Sequence, residues 1–145
     1  MLDYKHIFYS SIPAVGNPSA FVGVPLGATN GPGFGWHDVN AVAIAAEWRL
    51  NPQWTLRAGY EYNGDPVQPQ DVTLNILAPG VVTNHFSGGF TWNINARSSV
   101  DFAATFAPTH SVSGPEIIPG MGATGRTITL SMHQYYFTAG YRYHF

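Results

Sequence analysis

Six histidines, His6, His37, His85, His110, His133 and His144, offer the widest choice of chemistry in this chain, from metal ligation to proton transfer. None stands in a His-x-x-x-His or His-Glu-x-x-His spacing, the pattern that puts two imidazoles on one helix face around a metal. Their scatter fits polar positions at an interface or in a hydrated interior. A nucleophile would need a base and an acid within hydrogen-bond reach. His85 and Ser87 share one face of a strand, and Asp101 lies on the following strand, within one residue layer by the expected pairing. No Gly-x-Ser-x-Gly element accompanies them, so a Ser-His-acid hydrolase is the weakest reading. Gly31-Pro32-Gly33 and Gly120-Met121-Gly122 open no helix after a strand, as a phosphate-binding loop must. With no cysteine there is no thiolate site and no disulfide framework. We expect no metal, no cofactor and no enzyme.

The elements that must carry these residues have period two. Val42, Ile44, Ala46, Trp48 and Leu50 alternate with Glu47 and Arg49, and after Asn51-Pro52-Gln53 the set Trp54, Leu56, Ala58, Tyr60, Tyr62 alternates with Arg57 and Glu61. Two more segments and a final one, Tyr135 to Phe145, behave the same way, whereas helical spacing is hard to find. The pattern predicts an all-β chain of about six antiparallel strands, near residues 2–9, 39–50, 54–62, 84–94, 98–107 and 133–145. Long connections at 11–37, 63–83 and 108–132, rich in Gly, Pro, Asn and Ser, alternate with tight turns at 51–53 and 95–98.

Composition narrows the class. Only 10% of the 145 residues are charged and 14% are aromatic, against roughly 25% charged in ordinary soluble domains. A net charge of −2 and a pI near 6.3 leave no basic footprint for nucleic acid. The longest apolar run, Ala41 to Ala46, is far short of the roughly 18 residues of a membrane helix. The N-terminal Met-Leu-Asp-Tyr-Lys-His lacks the features of a secretory signal: either the protein stays inside the cell or its true beginning is missing.

Strictly alternating long and short connections suit a transmembrane β-barrel with its tight turns on one side. Every charge inside an expected strand, Asp3, Lys5, Glu47, Arg49, Arg57, Glu61, Asp101 and Arg142, sits opposite the apolar set. A lipid-facing Arg or Lys would cost about 2–4 kcal/mol at the midplane. Asp38, Asp65, Asp71, Arg97, Glu116 and Arg126 are expected at strand ends or in connections. A water-soluble β-sandwich would alternate too. Against it stand two aromatic belts, Trp48, Trp54, Trp92, Tyr143 and Phe145 near the tight turns and Tyr60, Tyr62, Phe86 and Tyr135 near the loops, since amphipathic rings favour both membrane interfaces.

Gly33-Phe34-Gly35-Trp36-His37-Asp38-Val39, Trp54 to Tyr62, and Asn75-Ile76-Leu77-Ala78-Pro79-Gly80-Val81-Val82, with the Asp3 to Ile7 start and the Gly140 to Phe145 end, resemble the outer-membrane hydrophobic-compound transporters of the FadL/TodX type. The resemblance covers essentially the whole chain, but only the C-terminal part of a family member. It implies about six C-terminal strands of a barrel of about fourteen, in the bacterial outer membrane. Passive uptake of long-chain fatty acids or aromatic hydrocarbons is the implied function. The family's N-terminal hatch and early strands have no counterpart here. A truncated product, a fragment of a longer reading frame, or one part of an assembly closed by other strands or chains all fit. So do two rival functions, a nonfunctional barrel fragment and a soluble β-sandwich that binds a ligand.

Partners are then hydrophobic small molecules, outer-membrane lipids and the barrel-assembly machinery. The terminal Tyr141, Tyr143 and Phe145 resemble the signal that this machinery reads. Candidate ligand contacts are Arg57, Leu74, Leu77 and Val81, the last three in an apolar stretch expected to fold over the barrel mouth. Glu47, Arg49, Glu61, Asp101 and Arg142 are expected to face the interior.

Overall fold

The computed structural model describes residues 1–19, 23–118 and 121–145. Six strands form one antiparallel sheet in chain order: β1 (Leu2–Ile7), β2 (Val39–Arg49), β3 (Trp54–Asn63), β4 (Asn84–Asn93), β5 (Ser98–Ile118) and β6 (Gly122–Tyr143). Among the described residues there is no second sheet for the apolar faces to pack on, which argues against the sandwich alternative. Among the described residues β1 and β6 leave the sheet open at both edges, and no helix is long and apolar enough to cross a membrane.

Because each strand alternates, pairing in register turns alternation into continuous rows. Leu2, Ile44, Tyr60, Phe86, Phe106 and Tyr135 are successive partners across all six strands. A second outward row runs Trp54, Trp92, Val100, Tyr141. The Trp54 and Trp92 rings stack at 5.7 Å, and Phe106 on Tyr135 at 5.0 Å. The two rows lie six residues apart along a strand, about 20 Å, near the roughly 25 Å of an outer-membrane apolar band. Outward side chains stay exposed: Trp48 is 67% and Phe137 71% accessible. The Tyr4 and Tyr60 hydroxyls donate to Asn40 and Asn84 at 2.7 Å each, so the loop-side rings end in a polar rim.

The connection expected at 108–132 is not a loop. β5 and β6 continue as a paired hairpin through this stretch, so Glu116 and Arg126 lie in strands. The first strand is shorter than expected, because Tyr9–Ser11 turns into a 3-10 helix, and the last ends at Tyr143. A register shift between Ala107 and His110 inserts one extra residue in β5, a β-bulge. Beyond it the polarity of the sheet inverts. Ser111, Ser113, Thr127, Thr129 and Ser131 are exposed on the outward side, while Leu130, with Val112, Ile128 and Met132, packs inward on Val67, Val72 and Val81. Outward groups are apolar below the bulge and polar above it. Residues 20–22 of the first expected loop, and Pro119 and Gly120 of the third, lie outside the described residues.

Candidate functional site

The inward face carries the polar half of each strand, and the register assembles it into a chain of contacts. Arg57 faces Glu47 directly; its Nε donates to the Glu47 carboxylate at 2.8 Å and its Nη1 to the Thr91 hydroxyl at 2.7 Å. The Thr91 hydroxyl donates to Asp101, whose other oxygen lies 3.5 Å from Arg142 Nη2. Five strands are thereby tied by side chains near the tight turns. Arg49, 3.9 Å from Glu47, is the outlying cation of the group.

Between this group and the loops the wall is built of small residues. Ala43, Ala45, Gly59, Ser87 and Thr105 line a depression of about 260 Å³ with Glu61 and His85 on its rim. Above it, under the loops, lies a chamber of about 320 Å³. Ile7, Tyr9, Trp36, Val39, Val82 and Met132 give it an apolar lining, and Lys5, Glu61, His85 and Gln134 a polar floor. Glu61 and His85 are register partners and border both spaces.

The roof is made where two distant sequence segments interlock. Trp36 Nε1 donates to Asn75 Oδ1, and the Asn75 amide donates to the Phe34 carbonyl at 2.7 Å and the Asp71 carbonyl at 2.9 Å. Asn75 is wholly buried, so these bonds meet a demand that burial would otherwise leave open. Gly35 has φ +67°, and a Cβ there would stand 2.2 Å from the Asp71 carboxyl carbon; only glycine permits this approach. Thr73 clips the roof to the hairpin by accepting the Ile117 N–H at 2.9 Å.

Two roof carboxyls depart from ordinary behaviour in opposite directions. Burial pushes the Asp65 carboxyl up, against smaller opposing pulls from the Val67 N–H, His110 and His37. Its Oδ2 lies 3.4 Å from His110 Nδ1 at the bulge. The Ser10 N–H, donating to Asp38 at 2.9 Å, holds that carboxyl below the ordinary range, with His6 and His37 adding to the effect.

The residues singled out from sequence disperse. Arg57 is committed to Glu47 and Thr91, below the chamber. Val81 is fully buried in the roof cluster, Leu74 is half-buried, and Leu77 is 73% exposed. None of these four lines the chamber. Glu61 does line it, while Glu47, Arg49, Asp101 and Arg142 belong to the lower polar chain. Tyr141, Tyr143 and Phe145 are exposed at the end of the chain, the last two rings in edge contact at 5.1 Å. The hydrolase set does not assemble. Ser87 faces Thr105, whereas Asp101 faces Thr91, four residues further along and about 13 Å away. No cluster of metal-ligating side chains occurs among the described residues. Trp36 and Met132 are chamber residues that sequence reasoning passed over, whereas Glu61 and His85 are expected inward from sequence and only their pairing is not. The signal was weak, because a chamber wall drawn from five strands and two connections has no local period.

A family model described as outer membrane protein transport protein (OMPP1/FadL/TodX) matches residues 25–145. Among solved structures the chain is similar to the toluene transporter TodX of P. putida, with a TM-score of 0.52 and 18% identity over 76% of this chain. The chain spans 22% of that transporter's length, and at this identity the likeness speaks for the fold. No curated protein matches.

Proposed function

We infer the role of this chain from a plain premise: it belongs to the outer membrane protein transport protein family (OMPP1/FadL/TodX). On that premise it forms wall and roof of a conduit through which hydrophobic compounds, long-chain fatty acids or aromatic hydrocarbons, cross the bacterial outer membrane passively. The observation that carries the reading is the inverted polarity of the sheet. Apolar rows face outward over a bilayer's height, and the large apolar side chains on the inside gather around the chamber beneath the roof. A compound leaving water meets the exposed Ile76 and Leu77 on the roof, enters the chamber, and descends along the wall of small residues. No bond is made or broken, so no catalytic group is required. A carboxylate reaching the lower polar chain finds Arg57 already paired, and Arg142, 3.5 Å from its partner, is the looser cation.

Membrane delivery belongs to the same proposal. The outward Tyr141 and Tyr143 at an unpaired sheet edge suit capture by strand addition, the mode open to a barrel-assembly machine, and lipids of the outer membrane cover the outward rows. The test is to narrow the chamber. Ala41 is buried and lines it, so Ala41→Phe, with these strands carried in a complete barrel, is expected to lower hydrophobic-compound uptake several-fold at unchanged surface level. Unaltered uptake would overturn the chamber as the passage.

A further inference from the structure

We propose that the Glu61–His85 pair is a polar selector that favours hydrophobic compounds bearing one neutral hydroxyl, phenols or alcohols, over plain hydrocarbons of the same size. The inference rests on the conduit reading above and adds a substrate class to it. The two side chains face each other across β3 and β4, and both border the upper chamber and the depression below it. A molecule passing from one space to the other must slide over them.

Their hydrogen-bonding capacity is unspent. His85 Nδ1 is buried with no partner, and among the described residues Glu61 enters no hydrogen bond or ion pair. The contrast with the lower polar chain is direct, where Glu47, Arg57, Thr91 and Asp101 are all bonded to one another. A buried unpaired polar atom is unfavourable, and the penalty is relieved when the His85 ring turns this nitrogen toward a hydroxyl held beside Glu61. A hydroxyl is suited because it both donates and accepts: it can give its proton to the Glu61 carboxylate or to an unprotonated ring nitrogen, and its oxygen can accept from a ring N–H. A carboxylate would set its charge against Glu61, and a hydrocarbon offers nothing to either group. The rest of the lining, Trp36, Val39 and Val82 among it, takes the apolar body.

The experiment compares toluene with para-cresol, which share a ring and a methyl group and differ by one hydroxyl. Uptake of each is measured in outer-membrane vesicles with these six strands carried in a complete barrel, and binding of each by quenching of Trp36, isolated by replacing the other three tryptophans of the 145 residues with Phe. The unsubstituted pair should favour cresol by about tenfold in both readouts, the worth of one or two buried hydrogen bonds. In Glu61→Leu/His85→Leu the ratio of cresol to toluene should fall to about one in both uptake and binding, and Glu61→Gln/His85→Asn should retain the preference. Equal handling of both compounds by the unsubstituted pair, or a preference that survives the Leu pair, overturns the selector. The binding comparison needs no substitution at the pair, so a Leu variant that fails to fold leaves the proposal exposed to refutation. Should Ala41→Phe leave toluene uptake intact, the conduit reading fails instead, and the two failures are thereby told apart.

Discussion

Arg57 illustrates how far a single position can be read before pairing is known. Its charge and its place opposite the aromatic set mark it as inward-facing, but only register puts Glu47 across from it and Thr91 within reach. Asp65 shows a different limit. Nothing local distinguishes it from Asp38, yet burial raises one carboxyl and a Ser10 N–H lowers the other. Because the Asp65 value is raised on folding, its contribution to the roof is fully present below the ordinary 3.8 and is lost as pH rises through the raised value. Asp65→Asn, which keeps an acceptor for the Val67 N–H, should therefore slow hydrogen exchange of roof amides 63–83 at pH 8. The difference between variant and parent should close as pH falls below 3.8; faster exchange in the variant at pH 8 would reverse the argument.

At the scale of elements, the β5–β6 hairpin decides the most. Its alternation beyond the bulge, Ser111-Val112-Ser113 and Thr127-Ile128-Thr129-Leu130, is as regular as any in the chain. Pro108, Gly114, Pro115 and the glycines near the tip punctuate it like a loop, and the inverted polarity hides that it continues the strands below. Long-range packing overrides those local signals: Leu130 lies against the roof valines, and a Cβ on Gly114 would stand 1.6 Å from the Pro69 carbonyl oxygen. Gly114→Leu should push roof and hairpin apart at a cost of about 1–3 kcal/mol, the range for overpacking a filled site. Limited proteolysis should then cut within 63–83 several times faster while β2 to β4 stay protected. An unchanged cleavage rate would mean that the hairpin does not hold the roof.

Among the described residues the molecule is a curtain of six strands with two open edges and a polar gradient along it. Arg49, Arg57, Arg97 and Arg142 outnumber Glu47 and Asp101 toward the tight turns, whereas Asp3, Asp38, Glu61, Asp65, Asp71 and Glu116 outnumber Lys5 and Arg126 toward the loops. An anion on the inward face would be drawn toward the tight-turn end. The unpaired edge groups of β1 and β6 would cost several kcal/mol each in hydrocarbon, so residues 1–145 by themselves should not close. After refolding in detergent, that segment is expected to migrate identically on gels with and without heating. A heat-sensitive, faster-migrating band would show closure by these six strands alone.

The sequence by itself determined the all-β class, the meander of strands and the apolar side of each strand below the bulge, because side-chain direction in a strand has period two. The terminal aromatics and the segments shared with the transporter family were legible for the same reason: they are local. The chamber, the Glu61–His85 pair above the small-residue wall, the Asn75 clasp and the extension of the last hairpin were decided only by tertiary structure. Each depends on which residues a long connection brings together, and contacts between positions some forty residues apart, such as Trp36 and Asn75, leave no period for a sequence to display.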